Sequence, residues 1–330
     1  MTALQLTQPF DPAGGLIALD WGTSSLRAWR VSDTGAILEA RHEGWGIMHL
    51  PEGGFPAAFA AITQGWTADG RVMPAIACGM VGSRQGWREA PYIPTPAGLA
   101  QLSDGLLRVD TGTGAVLHLV PGVLDANDPA APDVMRGEET QALGALRHLG
   151  GDALLVMPGT HSKWARLREA RLVSFRTMMT GELFALLRTH SILGRGVAEA
   201  PAASQDACDA AFRAGVLAAH EHGALARLFQ TRALTLTGGL EAGCVPDYLS
   251  GLLIGEELRL AAPDMATAAR IAMTGDATLC ARYGRAFAII GQPSPERIPD
   301  TALEGLLRIA VQAGLLPAPA SPALASNGAA

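Results

Sequence analysis

The chain has 330 residues, 48% of them hydrophobic and 17% charged, with a formal net charge of −6. That length holds two domains of ordinary size, each with its own core, and the acidic balance without any Lys/Arg-rich run argues against a nucleic-acid partner. No apolar run approaches the ~20 residues of a membrane span and no basic segment leads into an apolar one, so no membrane partner and a cytoplasmic setting are expected.

Residues 1–14 carry Pro9, Pro12 and Gly14 and read as a loose leader. From Leu16 to Val31 an apolar run, a short polar loop and a second strand-like run spell a β-hairpin. Its turn is Gly22-Thr23-Ser24-Ser25, preceded by Asp20 at the strand end. Gly22 lets a ligand come close to the backbone, Thr23 and Ser24 offer N–H and hydroxyl donors, and Asp20 suits a hydrated Mg²⁺, so the loop is a phosphate cradle in outline. An ordinary polar turn has the same composition. Gly35 to Arg41 reads as a third strand, Phe55 to Trp66 as a helix and Met73 to Cys78 as a short buried strand, which together open an α/β domain.

The Gly-rich loop Gly79 to Tyr92 leaves that strand, in a place where loops usually bind ligands. Ser83, Arg84 and Gln85 are the substrate-binding candidates, and the planar fork of Arg84 matches a carboxylate, although a solvated arginine would look the same. Val116 to Val120 is a further strand and Asp125 to Pro132 a polar connection. Arg136-Gly137-Glu138-Glu139-Thr140-Gln141 then enters a helix with two carboxylates in its first turn, where the helix dipole alone would favour them. Adjacent glutamates point in different directions on a helix, so at most one faces a given site.

The second half repeats the plan. Ala153 to Leu167 is another hairpin, with Gly159-Thr160 in register with Gly22-Thr23 and Ser162 with Ser25. Its loop is Gly159-Thr160-His161-Ser162-Lys163; Met157 stands where Asp20 stood, and Lys163 adds a cation. Neither loop is a P-loop, because no G-x-x-x-x-G-K-[ST] is present and each exits as a strand. Arg171 to Thr177 reads as a third strand, Gly181 to Ser191 as a helix, and Ser204 to Phe229 as helix-rich. Ala233 to Thr237 is expected to be a strand running into Gly238-Gly239, followed by a helix over Tyr248 to Leu260, a strand over Arg270 to Asp276 and a helix over Thr278 to Ile290. Cys78, Cys208, Cys244 and Cys280 lie far apart with no C-x-x-C pairing and read as reduced core thiols. The Pro/Ala/Ser-rich tail, 316–330, reads as disordered.

The two Gly-Thr hairpins and the Thr237-Gly238-Gly239 turn resemble the phosphate and adenosine elements of the actin, hexokinase and Hsp70 ATPase superfamily. Within it, the segments Asp20 to Trp29, Gly79 to Trp87, Arg136 to Gln141 and Pro158 to Trp164 together resemble the 2-dehydro-3-deoxygalactonokinase family. The resemblance implies an α/β, two-domain actin-like ATPase (ribonuclease H-like) fold, with two similar mixed-sheet domains around a nucleotide cleft, over residues 15–150 and 151–315. It implies ATP and Mg²⁺ as cofactors and phosphorylation of the terminal hydroxyl of 2-dehydro-3-deoxy-D-galactonate, a small sugar acid. On this reading Asp20 orients the metal, the loops around Gly22, Thr23 and Ser24 and from Gly159 to Lys163 hold phosphates, and Gly238-Gly239 take the adenosine. The related polyphosphate-processing branch has a similar Gly-x-Glu-Glu segment, which points to Glu139 as general base, with Glu138 the alternative and Asp133 or Asp128 further ones. Another sugar or sugar-acid kinase of the superfamily, or a nucleotide-gated sugar sensor, remains as a competing reading, and a homo-oligomer is as open as a monomer.

Overall fold

The computed structural model describes residues 14–66, 72–195, 197 and 200–318. Most of the expected leader and tail lies outside these residues, and Leu316, the first tail residue, is buried. The chain forms two compact units, the first drawn from Met1–Leu124, Val134–Gly144 and Thr301–Ala330, the second from Asp125–Asp133 and Ala145–Asp300. Each unit is discontinuous in sequence, so the units cross the expected boundary between 150 and 151.

In the first unit β1 (Leu16–Trp21), β2 (Leu26–Val31) and β3 (Ile37–Glu43) form an antiparallel meander, followed by α1 (Gly54–Ile62) and β4 (Ala75–Cys78), which runs parallel to β1. Then come β5 (Tyr92–Pro94), α2 (Leu99–Asp104), β6 (Leu107–Asp110), β7 (Val116–Leu119), β8 (Gly122–Asp125), β9 (Asp133–Met135) and α3 (Glu138–Leu149). The main sheet has the order β3-β2-β1-β4-β7-β6, and β5-β8-β9 form a small separate sheet. The near-continuous apolar runs of β1 and β4 belong to central strands covered on both faces, and nearly all of their side chains are buried. Trp21, Phe59 and Trp66 are fully buried in the core of this unit.

The second unit repeats the arrangement with β10 (Ala153–Met157), β11 (Ser162–Arg168) and β12 (Arg171–Met178), then α4 (Thr180–His190), α5 (Gln205–His222), α6 (Ala224–Leu236) and α7 (Val245–Ala266). β13 (Ile271–Met273), α8 (Ala277–Ile289) and β14 (Glu296–Arg297) complete it, and α9 (Ala302–Gln312) returns to pack on β1 and β4 of the first unit. The sheet order β12-β11-β10-β13-β14 matches β3-β2-β1-β4-β7, three antiparallel strands followed by two parallel ones. This duplicated order is the two-domain actin-like ATPase fold. Close packing of α5 on α7 depends on glycine: a Cβ on Gly215 would meet the Tyr248 carbonyl oxygen at 2.3 Å, and one on Gly251 that of Phe212 at 2.2 Å.

One expected element is overturned. Residues 233–237 are the last turn of α6 and not a strand. The Leu234-Thr235-Leu236 alternation is compatible with either, but α6 turns Leu234 into the core while Leu236 is 67% exposed, whereas a strand would put both on one face. The cysteines also differ from a scattered set: all four are free, and the Cys208 and Cys244 sulfurs are 3.2 Å apart.

Candidate active site

The first hairpin closes as its sequence dictates. Trp21 pairs with Leu26, and Gly22 N–H donates to the Ser25 carbonyl at 2.9 Å, leaving Thr23 and Ser24 exposed at the tip. The Gly22 amide is therefore spent on the turn, and the donors the loop offers to a ligand belong to the two residues after it. Asp20 lies directly across from Arg27, whose guanidinium forms an ion pair with Oδ2, with Nε at 3.1 Å. Its other oxygen, Oδ1, accepts the Cys78 thiol at 3.8 Å. Burial and the neighbouring Asp20 and Glu139 charges push the Cys78 thiol well above its usual range, so it stays protonated and serves as a donor.

Two glycines bring the carboxylates together. Gly79, just past β4, has φ +94°, and a Cβ there would meet the Trp21 carbonyl oxygen at 2.7 Å. Gly137, with φ +107°, packs against it and precedes α3. Glu139, 1% exposed, turns back so that Oε2 accepts the Gly137 N–H at 2.6 Å while Oε1 accepts the Thr140 hydroxyl at 2.8 Å. Burial raises its pKa to about 7, the Glu138 charge adding to the rise and the hydrogen bonds opposing it. Glu138 is half-buried and accepts the Arg136 N–H at 3.2 Å. The further candidates are engaged in the second unit: Asp133 accepts from Thr177 N–H and Oγ1, at 2.5 and 2.7 Å, and Asp128 caps its own turn through Ala130 N–H.

The Gly79 to Tyr92 loop is anchored at both ends and raised in the middle. Trp87 stacks on Phe55 at 5.9 Å, while Ser83-Arg84-Gln85-Gly86 forms a turn closed by Gly86 N–H to the Ser83 carbonyl. Arg84 and Gln85 are exposed on that turn, and Ser83 Oγ is buried without a partner. Beneath the loop lies Arg136, which sequence reasoning assigned no role. It is 8% exposed, donates to the Ala90 carbonyl at 2.8 Å and stacks 4.4 Å from the Tyr92 ring centre. Its Nε and Nη1 are buried without partners.

In the second hairpin Met157 pairs with Lys163, and Gly159 is half-buried with Thr160 and His161 exposed. His161 Nε2 lies 2.5 Å from the Glu182 carboxylate at the start of α4. Ser162 is fully buried, its Oγ 2.9 Å from the Tyr283 hydroxyl. Lys163, on β11, is 5% exposed, and its ammonium donates to Thr177 Oγ1 at 2.7 Å.

Gly238 and Gly239 depart from the expected local structure. Gly238, with φ +77°, ends α6, and Gly239 N–H donates to the Leu234 carbonyl, so the pair is a helix stop and not a turn off a strand. The strand-to-glycine turn beside the second hairpin is instead Thr274-Gly275-Asp276 after β13, where Thr274 N–H bonds the Val156 carbonyl and a Cβ on Gly275 would be 3.3 Å from that of Pro158. Its signal was present in sequence, a short apolar strand running into Thr-Gly-Asp and then a helix. A largely apolar cavity of about 220 Å³ opens next to Gly159, between the start of α4, α7 and α8.

A duplicated sheet, each copy opening with a Gly-Thr hairpin and one of them bearing an aspartate at the strand end, is the arrangement of the actin-like ATPase class. The profile of the 2-keto-3-deoxy-galactonokinase family matches residues 20–309, and the chain belongs to that family. It is 41% identical over 278 residues, 83% of this chain and 89% of the relative, to a Rhizobium meliloti (strain 1021) protein named probable 2-dehydro-3-deoxygalactonokinase. It is 37% identical to the 2-dehydro-3-deoxygalactonokinase of Escherichia coli (strain K12), over 88% of this chain and 96% of that one. A crystal structure from Sinorhizobium meliloti, solved as that of a candidate 2-dehydro-3-deoxygalactonokinase, matches with a TM-score of 0.81 and 37% identity, covering 90% of this chain and 98% of the other. Among the described residues no helix is long and apolar enough to cross a membrane.

Proposed function

We propose that the chain transfers the γ-phosphoryl group of ATP to the terminal 6-hydroxyl of 2-dehydro-3-deoxy-D-galactonate, giving the 6-phosphate and ADP. The observation that carries this reading is the buried Glu139, with its pKa raised to about 7, beside Asp20 in a chain of this family. A carboxylate so placed is a competent base at neutral pH. It takes the hydroxyl proton as the alcohol oxygen bonds to the γ-phosphorus and the bond to the ADP oxygen breaks. Phosphoryl transfer asks for little else beyond alignment and charge neutralisation.

Thr23, Ser24, Gly159, Thr160 and His161 hold the phosphates through N–H and hydroxyl donors. Thr274-Gly275-Asp276 and the cavity beside Gly159 take the nucleoside. One carboxylate together with phosphate oxygens is a usual Mg²⁺ ligand set, and Asp20 supplies it once Arg27 yields the contact; the ion neutralises phosphate charge. Arg84, exposed on its turn, grips the sugar-acid carboxylate, with Ser83 and Gln85 beside it. Glu138 is the second reading for the base, favoured by its greater exposure. The four free thiols support a cytoplasmic setting.

The test is a panel of 2-keto-3-deoxy sugar acids and aldoses with ADP release as readout and NMR of the product. Turnover is expected for the galactonate derivative with the phosphate on C6. Preference for another acid or an aldose would assign the chain to a different acceptor, and single-turnover ADP release without a sugar phosphate would mark a nucleotide-gated sensor.

A further inference from the structure

Glu257, in the middle of α7, is 1% exposed. Among the described residues no arginine or lysine lies within ion-pair distance of it; its contacts are neutral donors. Trp164 Nε1–H donates to Oε1 at 2.6 Å, and the Tyr283 hydroxyl to Oε2 at 2.7 Å, where Thr180 Oγ1 also donates. Burial raises its pKa, and these donors work against the rise. A buried carboxylate without a counter-charge is costly, and an apolar side chain of similar volume would fill the same space more cheaply. Packing alone therefore does not account for a carboxylate at this position.

The hydrogen bonds run in one direction. An indole N–H can only donate, and Tyr283 gives its proton to Glu257, so Ser162 Oγ is the donor in its 2.9 Å contact with Tyr283, and its hydroxyl also faces the Glu257 carboxylate. Ser162 Oγ then has lone pairs free to accept, and the Gly159 N–H reaches it at 3.4 Å. The chain is thus Gly159 N–H to Ser162, Ser162 to Tyr283, and Tyr283 to Glu257. The link from Gly159 is the long one, so that amide can be given up to a stronger acceptor. Through Thr180 the same carboxylate fixes the first residue of α4, whose next residue, Gly181, packs on the backbone of Gly159 and Thr160.

We propose that Glu257 is the positioning residue of the second phosphate loop: from one buried carboxylate it orders both the Gly159-to-Ser162 turn and the start of α4 in the arrangement that receives the nucleotide. The inference rests on reading that turn as a nucleotide loop. Glu257 touches no reacting atom. Its effect reaches the ligand through Tyr283 and Ser162, and it acts on the nucleotide and not on the sugar acid.

The experiment compares wild type with Glu257→Gln, Glu257→Asp and Tyr283→Phe in the full chain, measuring KM for ATP and for the sugar acid, ADP affinity by calorimetry, and Tm. The amide of Gln places donors where only acceptors serve, and Phe cuts the chain one link from the carboxylate. Both are expected to raise KM for ATP and weaken ADP roughly tenfold, the scale of one lost hydrogen bond, with KM for the sugar acid within about twofold. Glu257→Asp is expected to restore part of the loss. Wild-type ATP and ADP parameters in Tyr283→Phe, or equal rises in both KM values alongside a fall in Tm, overturn the proposal; should Glu257→Gln fail to fold, Tyr283→Phe decides it. Absence of ADP binding by the wild-type protein would instead remove the nucleotide reading of the loop itself.

Discussion

A Cβ on Gly137 would lie 3.1 Å from the Cα of Gly79, so the backbone before α3 and the backbone after β4 meet at a contact only glycine allows. That contact sets Glu139 near Asp20 and Cys78, and both glycines also need positive φ. Gly137→Ala is expected to cost about 1–3 kcal/mol, from strained backbone together with displaced neighbours. For units of this size the loss corresponds to a Tm fall of roughly 2–4 °C per kcal/mol, seen by calorimetry. Turnover should fall by more than the unfolded fraction explains, because the base moves with the backbone; unchanged Tm and turnover would mean the contact is slack.

Asp20 is held by Arg27 on one oxygen and by the Cys78 thiol on the other. Asp20→Asn removes the charge and keeps the shape. Turnover is expected to collapse across the whole Mg²⁺ range while Tm stays within a few degrees, since Asp20 closes a loop and fills no core. A Mg²⁺ titration with wild-type-like saturation would refute the metal role.

Arg84 is exposed and Arg136 buried, so the two arginines near the substrate loop predict different outcomes. Arg84→Ala should raise KM for the sugar acid roughly 10- to 100-fold, the value of a charge-assisted hydrogen bond of ~1.5–3 kcal/mol, and leave KM for ATP unchanged. Arg136→Met should lower Tm as well, because it frees the Ala90 carbonyl and the face of Tyr92. A rise in KM for ATP with Arg84→Ala would move that residue to the nucleotide side.

Both hairpins, the helix carrying Glu138 and Glu139, and the substrate loop were legible in sequence because their signals are local: a strand, a run of small polar residues, a strand. Ala233 to Thr237 reads as a strand in sequence but ends a helix, because five residues of alternation cannot outweigh a helix begun at Ala224, whose inward positions Leu228, Thr231 and Leu234 keep helical spacing. Lys163 sits in a loop motif in sequence, but where its ammonium reaches depends on Thr177 across the β11–β12 pair, 14 residues away. Nothing local marks Glu257 or Tyr283. Tyr283 is 121 residues from Ser162, and only the packing of α7 and α8 against β11 brings the network together. The one met donor of the Arg136 guanidinium, Nη2, likewise depends on Ala90, 46 residues away.

Glu139 carries a prediction that separates catalysis from stability. Its carboxyl has a pKa of about 7 in the fold against an ordinary value of 4.5, so the folded protein holds a proton there that the unfolded chain releases. Stability from this group is fully present below pH 4.5 and is lost as pH rises through about 7. The shift corresponds to about 3 kcal/mol at most, an order-of-magnitude figure. Glu139→Gln keeps the acceptor and removes the ionisation, so its Tm should match wild type near pH 4 and exceed it by several degrees at pH 8. Activity should move the other way. Wild-type kcat is expected to climb with pH through about 7 as the base ionises, and Glu139→Gln should lower kcat by about 10²–10⁴-fold, abolish that climb and leave both KM values nearly unchanged. Glu138→Gln, measured alongside in single-turnover phosphorylation, separates the two carboxylates. A greater loss there than in Glu139→Gln would transfer the base to the more exposed residue, and near wild-type rates in both proteins would remove the base from this helix altogether.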